Sequence, residues 1–209
     1  MNILVIRAND RPDGISTQMA DTFLEELQQQ SNVNVTVYDT FAENLPYFGQ
    51  SVFSIYEKSM TGTALSEKDK QIIAVQKKIA DMTSAADVLV FAFPLWNLTV
   101  PVPMHSFIDF FIQPGVTFKH DDDGTKVLLF KEKKAILLNA RGGFFSNPEM
   151  AHKEMAIRFI EENLVEYAGV QIVEKVIIEG HKELPEQAET IVREGMERVR
   201  QVAQTVSTL

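Results

Sequence analysis

The stretch DVLVFAFPLWN, residues 87–97, decides the fold of this chain. Its first eight residues are almost wholly apolar and lack the alternation of a strand with one solvated face. Such a run is typical of a strand in the middle of a parallel sheet, where helices cover both faces. The apolar run ends at Pro94, so we expect the strand to end there and a loop to follow.

Strands and helices alternate on both sides of this stretch. The other predicted strands are ILVIR (3–7), NVTVYD (34–39), KKAILLNA (133–140) and VQIVEKVIIEG (170–180). Helical periodicity with start and stop signals predicts five helices, which begin near Ser16, Leu65, Pro101, Met150 and Leu184. This alternation predicts an α/β fold in one domain, residues 1–209: a flavodoxin-like three-layer sandwich. Its five-stranded parallel sheet has the order 2-1-3-4-5, with helices on both faces.

Composition excludes several classes of protein. The chain has no cysteine, which excludes disulfides, thiolate metal sites and cysteine nucleophiles. A net charge of -9 argues against nucleic acid as a partner, because nucleic-acid binders normally carry a basic surface. No signal peptide or long apolar run is present, so we expect a cytoplasmic protein without a membrane partner.

The loop after the first strand has the signals of an anion site. In RANDRPDGISTQ (7–18), Gly14, Ile15 and Ser16 come directly before the first helix. The first N–H groups of a helix have no intrahelical partner, so this junction can hold a phosphate, with Asn9 and Ser16 adding hydrogen bonds. A plain loop with an N-cap has the same composition. No G-x-G-x-x-G or G-x-x-x-x-G-K-[ST] pattern is present, which argues against a Rossmann dinucleotide site and a P-loop.

The loop after the third strand favours contact with an aromatic ring. It begins at Pro94 and places Asn97 between the large apolar side chains of Trp96 and Leu98. Such a segment can press a flat apolar face on a ring while Asn97 reaches polar ring edges. The alternative is a tryptophan that packs in the core, followed by prolines that start a helix.

The loop after the fourth strand, NARGG (139–143), can approach a ligand closely. Its two glycines permit close backbone approach, and Arg141 supplies a cation at the mouth of the sheet. The alternative is a tight turn with a surface arginine.

All three loops are needed for one ligand. Micromolar binding requires roughly 8 kcal/mol, whereas a helix terminus gives an anion about 0.3 to 1 kcal/mol, and up to about 2 in favourable geometry. A phosphate alone therefore does not suffice, and the ligand needs a large aromatic ring as well. Flavin mononucleotide (FMN) has that shape.

Several motifs, in order, resemble the FMN-dependent NADH-azoreductases, also described as NADH:quinone oxidoreductases. They are FAFPLWNLTVPVPMHSFIDF (91–110), PGVTFKH (114–120), LLNARGG (137–143) and VIIEGH (176–181). The resemblance covers nearly the whole chain and implies a flavodoxin-like homodimer with one FMN per subunit, in clefts at the dimer interface. NADH is the implied co-substrate, and quinones or aromatic azo compounds are the implied acceptors.

The resemblance also assigns residues to FMN. It implies that the phosphate lies at Asn9 and at Gly14, Ile15 and Ser16. The ring would lie against Pro94, Leu95, Trp96, Asn97 and Leu98, with Asn139, Ala140, Arg141, Gly142 and Gly143 at its other edge. Many relatives have serines in the first loop where this chain has Asn9 and Gly14, so these two assignments depart from the family pattern.

The flavin carries the chemistry, so no side chain is predicted to be catalytic and no metal is predicted. The N–H groups of Gly142 and Gly143, with Arg141 nearby, are expected to stabilise negative charge that develops on reduction. His120 is a candidate on the substrate side, although a solvent-exposed hairpin is the simpler interpretation of its segment. The alternatives for function are an NADPH-preferring quinone or chromate reductase and a non-catalytic electron carrier.

The aromatic stretch from Thr40 to Ala64 has no assigned helix or strand. Its five aromatic residues predict that it covers a neighbouring subunit or the cleft. Packing on its own sheet is the alternative.

Overall fold

A computed structural model describes residues 1–209 and contains a five-stranded parallel sheet. The sheet strands are β1 (Asn2–Arg7), β2 (Asn34–Asp39), β3 (Val88–Pro94), β6 (Lys134–Arg141) and β7 (Gln171–Glu179). A separate antiparallel hairpin consists of β4 (Phe118–His120) and β5 (Lys126–Leu128). The sheet order is β2-β1-β3-β6-β7, which is 2-1-3-4-5 when the sheet strands alone are counted. The predicted fold is therefore confirmed.

Helices cover both faces of the sheet and form two cores. They are α1 (Ile15–Gln28), α2 (Gln50–Thr61), α3 (Glu67–Ala85), α4 (Val102–Phe111), α5 (Ala156–Ala168) and α6 (Ala188–Thr205). Apolar residues of α1 and α6 pack on one face, and those of α2, α3, α4 and α5 pack on the other. None of these helices combines the length and apolar character needed to cross a bilayer.

The central strand β3 is buried along its whole length, as its apolar run predicts. Leu89, Phe91 and Phe93 face the larger core, while Val90 and Ala92 face the smaller one. Full burial of a side chain such as Phe or Leu contributes roughly 1.5 to 3 kcal/mol. The carboxyl end of β3 is thereby fixed between β1 and β6, so the loops after these three strands share one edge of the sheet.

The stretch from Thr40 to Ala64 contains α2, a helix that the sequence prediction lacked. Gly49 is the N-cap of this helix, and Gly62 ends it in the left-handed conformation at φ 68°. Val52 and Ile55 are buried in the larger core, so the inner side of α2 packs on its own chain. Its outer side, which carries Phe53 and Tyr56, is exposed, and contact with a neighbouring subunit stays a prediction.

Two predicted helix starts are wrong by several residues. The helix expected from Met150 begins at Ala156, because the carboxylate of Glu154 accepts hydrogen bonds from the N–H groups of Ala156 and Ile157, both 3.0 Å. Such an acceptor fixes the start of a helix. The last helix, expected from Leu184, begins at Ala188 after a short 3-10 turn.

Candidate functional site

The loops after β1, β3 and β6 meet around one cavity of about 230 Å³ at the carboxyl edge of the sheet. The first loop contributes Asn9, Arg11, Asp13 and residues 14–16 to its lining. Residues 94–96 come from the second loop and residues 140–142 from the third. These segments lie far apart in the sequence, and the parallel sheet brings their ends together.

Gly14 lets the first loop fold back on itself. It is the N-cap of α1, and a Cβ atom at this position would collide with the amide nitrogen of Asn9. That amide nitrogen, Nδ2, donates a 2.7 Å hydrogen bond to Oγ of Ser16, which is 1% exposed. Asn9 and Ser16 are thus fixed against each other at the start of the helix.

Three backbone donors are free at this helix start. The N–H groups of Ile15, Ser16 and Thr17 donate to no acceptor in the protein, whereas Gln18 N–H already bonds the carbonyl of Gly14 at 3.0 Å. No acidic side chain lies in the first turn of α1. Free donors together with the positive end of the helix make this part of the cavity suited to an anion.

The second loop has a constrained backbone. Asn97 and Leu98 have positive φ angles of 50° and 70°, which cost energy in residues with a side chain. The N–H groups of Trp96 and Thr99 each bond the other residue's carbonyl, at 3.0 and 3.1 Å. This tight turn places Trp96 in the cavity lining. The Trp96 ring packs edge-on against the Phe41 ring at a centroid distance of 6.1 Å.

The third loop presents free backbone donors. The N–H groups of Gly142 and Gly143 have no acceptor in the protein, while both carbonyls accept hydrogen bonds from the chain after β7. The N–H of Leu95 donates to the carbonyl of Ala140 at 2.9 Å, which joins the second and third loops. These free donors can therefore bind polar atoms of a ligand.

Arg141 differs from the sequence prediction of a cation at the mouth of the sheet. Its backbone belongs to the cavity lining, but its side chain is only 4% exposed. The Nε atom lies 2.9 Å from Oε2 of Glu179, although the N–H is not aligned for a hydrogen bond, and Nη1 lies 3.8 Å from Glu154. Nη2 donates to Ser146 Oγ at 3.2 Å. The guanidinium is therefore buried and paired. The expectation that it adds positive charge at the mouth of the sheet is wrong.

Some predicted site residues do not line the cavity in the single chain. Asn97, Leu98 and Gly143 adjoin lining residues, and Asn139 is buried one position before Ala140. Asn139 Nδ2 bonds the carbonyl of Phe93 at 3.1 Å, and its Oδ1 has no partner. The His120 ring lies on the exposed hairpin, packed edge-on against Phe118 at 5.7 Å.

The lining also contains four residues that the sequence did not indicate: Arg11, Asp13, His181 and Lys182. The Nδ1 atom of His181 is buried without a hydrogen-bond partner. Burial of the imidazole, and then the charge of Lys182, lower the pKa of His181 from its ordinary value of 6.5. His181 and Lys182 follow the end of β7, and that position was the available signal.

Comparison with known proteins assigns the family. A family model described as a flavodoxin-like fold matches residues 1–203. The FMN-dependent NADH:quinone oxidoreductase of Shouchella clausii (strain KSM-K16) is 39% identical over 203 residues, which are 96% of this chain and 97% of the relative. The chain belongs to the flavodoxin-like FMN-dependent NADH:quinone oxidoreductase family. A second member, FMN-dependent NADH:quinone oxidoreductase 1 of Bacillus subtilis (strain 168), is 37% identical over 96% of this chain and 97% of its own.

Solved structures agree with membership of this oxidoreductase family. An azoreductase from Bacillus anthracis (strain Sterne) is 36% identical, with a TM-score of 0.88 over 98% of this chain and 99% of its own. An FMN-dependent NADH-azoreductase from Bacillus anthracis (strain Ames Ancestor), solved in complex with FMN, has a TM-score of 0.88 over 99% of each chain. At 20% identity the latter shows the shared fold.

Proposed function

We propose that the protein is an FMN-dependent NADH:quinone oxidoreductase that also reduces aromatic azo compounds. One observation carries this proposal: free N–H donors at the start of α1, the Trp96 segment and free N–H donors at Gly142 and Gly143 border one cavity. This combination matches a ligand with a phosphate at one end and a flat, polar-edged ring at the other. The names of the relatives support the same activity.

The residues present fit FMN. The N–H groups of residues 15–17 would hold the phosphate, and the mutual hydrogen bond of Asn9 and Ser16 keeps this end of the cavity polar. Where many relatives carry serines, this chain would rely on backbone donors, the Asn9 amide and the one hydroxyl of Ser16. Leu95, Trp96, Asn97 and Leu98 would hold the ring face, and residues 139–143 would hold its polar edge.

When bound, FMN accepts hydride from NADH and passes the electrons to an acceptor. Reduction of a quinone to a quinol consumes one NADH and one proton. Cleavage of an azo bond to two amines consumes two NADH and two protons, and therefore needs two rounds of hydride transfer. The chain's task is to hold and orient the reactants and to stabilise charge, so no side chain is assigned as a general acid. We expect NADH and the acceptor to occupy the cavity mouth in turn, which gives ping-pong kinetics. We expect the enzyme to act in the cytoplasm, where NADH is available.

We also propose that the active form is a homodimer with one FMN per subunit. The outer side of α2 and the turn before it expose apolar side chains: Tyr47 is 77% exposed, Phe53 54% and Met60 83%. Such a surface is costly in water unless a partner covers it. Sedimentation analysis should give twice the chain mass, and Phe53→Glu with Met60→Glu should shift the protein towards monomer. Val35→Glu, an exposed apolar position on β2, is the control.

Anaerobic titration with NADH tests the activity. The protein reconstituted with FMN should be yellow, lose the flavin absorbance on addition of NADH, and regain it when a benzoquinone or an azo dye is added. A folded protein that binds no FMN would overturn the proposal. Bound FMN that NADH does not bleach would indicate an electron carrier, and faster bleaching by NADPH would indicate an NADPH-preferring reductase.

A further inference from the structure

A fourth loop, residues 180–184 after β7, forms one side of the cavity. The N–H of Gly180 donates to the carbonyl of Gly143 at 3.2 Å, and the N–H of Lys182 donates to the carbonyl of Gly142 at 3.1 Å. The fourth loop is thus joined by backbone hydrogen bonds to the third, and it brings Lys182 into the cavity lining.

The side chain of Lys182 lies directly on Gly142. A Cβ atom at Gly142 would lie 2.6 Å from Cδ and 3.0 Å from Cγ of Lys182. A side chain at position 142 would therefore displace the lysine from this place. Lys182 is otherwise exposed, and its ammonium nitrogen is two bonds beyond Cδ, so the charge stays close to Gly142 and to the free N–H groups of the third loop.

The other cations of the cavity are already paired. Arg141 is enclosed by two carboxylates, and Nη2 of Arg11 lies 3.0 Å from Oδ2 of Asp13. Lys182 has no carboxylate oxygen within the 4.0 Å that defines an ion pair. Of the three cationic side chains in the lining, Lys182 alone has a charge that is not locally compensated.

Two neighbours on the fourth loop also bear on the local charge. Oε1 of Glu183 would lie 2.8 Å from a Cβ atom at Gly143, but Glu183 is outside the cavity lining and makes no ion pair with Lys182. His181 lines the cavity and has a lowered pKa, so near neutral pH it adds no second positive charge. Glu183 therefore places a carboxylate beside Gly143, while Lys182 is the one lining cation without an ion-pair partner.

We propose that Lys182 supplies positive potential that makes reduction of the bound cofactor more favourable, beside the N–H groups of Gly142 and Gly143. This is the contribution expected from Arg141 on the sequence. This rests on the proposed function. Hydride transfer adds negative charge to the cavity, and a cation at its wall stabilises the charged state more than the uncharged one. Lys182 therefore acts through the electrostatic potential of the site and not by proton transfer.

The test measures the reduction potential of FMN bound to the intact protein. Lys182→Met removes the charge and keeps the aliphatic chain, so reduced FMN should lose about tenfold in affinity relative to oxidised FMN, which is about 30 mV for a two-electron couple. Lys182→Arg keeps the charge and should keep the potential near that of the wild type. Lys131→Met makes the same charge change at the amino end of β6, the opposite edge of the sheet, and should leave the potential unchanged.

The outcomes separate this inference from the proposed function. Wild-type protein that fails to bind FMN, or whose FMN is not reduced by NADH, contradicts the function itself. If the wild type is reduced but Lys182→Met has the wild-type potential, the assignment of Lys182 alone is wrong. A rise in KM for NADH without a change in potential also overturns it, since Lys182 would then be a nucleotide-binding residue.

Discussion

The guanidinium of Arg141 and the carboxylate of Glu179 form a buried pair behind the cavity, with 2.9 Å between Nε and Oε2. Glu179 also accepts hydrogen bonds from the N–H groups of Phe145 and Ser146, at 3.0 and 3.2 Å. The pair therefore connects the ends of β6 and β7 to the chain that follows the third loop. Arg141 therefore stabilises the third loop from the side that faces away from the cavity.

Loss of the Glu179 carboxylate is expected to destabilise the protein strongly. Glu179→Ala leaves a guanidinium that is 4% exposed without its nearest partner, and removal of one member of a buried pair costs about 3 to 5 kcal/mol. Urea unfolding measures this. The control is Glu174→Ala, which breaks an exposed pair with Arg198 and should cost at most about 1 kcal/mol. If both variants lose the same free energy of unfolding, the buried pair stabilises the protein no more than the exposed one.

Gly14→Ala is expected to weaken FMN binding about tenfold, or about 1.4 kcal/mol. The added Cβ displaces the Asn9 side chain and breaks its hydrogen bond to Ser16, while φ of -68° means that the backbone itself is not strained. Flavin fluorescence titration measures the affinity. The double variant Gly14→Ala with Asn9→Ala removes the collision, and should bind FMN as well as Asn9→Ala alone. If the double variant binds FMN more weakly than Asn9→Ala alone, the collision is not the cause.

The sheet and the first three loops could be predicted because their signals are local. The apolar run of β3 and its stop at Pro94 lie within one short segment, and the parallel order then places the loop ends at one edge. The helix α2 also had local signals, since Gly49 and Gly62 enclose Val52 and Ile55. Large apolar side chains also lie on its exposed side, as Phe53 and Tyr56 do, so the apolar residues do not mark a single helical face.

The charge at the site could not be predicted, because it depends on ion-pair partners that lie far away in the sequence. Arg141 is paired by Glu179 and Glu154, and neither residue has a sequence pattern that links it to the third loop. Lys182 enters the cavity only because the fourth loop bonds to the carbonyls of the third. Residue types near a strand end thus predict where a site lies, whereas the charge that a ligand meets there is set by tertiary pairing.

Asp69 is expected to make stability depend on acid pH. Its carboxylate accepts hydrogen bonds from Lys58 at 2.7 Å and from the hydroxyl and N–H of Ser66, both 2.8 Å, and these lower its pKa from 3.8 to about 2. A lowered folded-state pKa stabilises the fold above the unfolded value, and this contribution is lost as pH falls from 3.8 to about 2.

Urea midpoints measured against pH test this expectation. Asp69→Asn should unfold at lower urea than the wild type near neutral pH, and the difference should shrink steadily between 3.8 and about 2. Asp81→Asn, which breaks an exposed pair with Lys77 on the same helix, should change the midpoint little at any pH. A wild-type-to-Asp69→Asn difference that stays constant in acid would contradict the assignment.

The pKa of His181 is expected to rise when Lys182 is replaced by Met. Burial is the larger cause of the lowered pKa and remains in the variant, while the repulsion between the ammonium and a protonated imidazole disappears. The pKa should therefore move part of the way back towards 6.5, which an NMR titration of the imidazole ring protons measures. Lys131→Met should leave the His181 titration as in the wild type. An unchanged or lower pKa in Lys182→Met would mean that the ammonium does not act at the cavity wall, and the electrostatic role proposed for Lys182 would lose its structural basis.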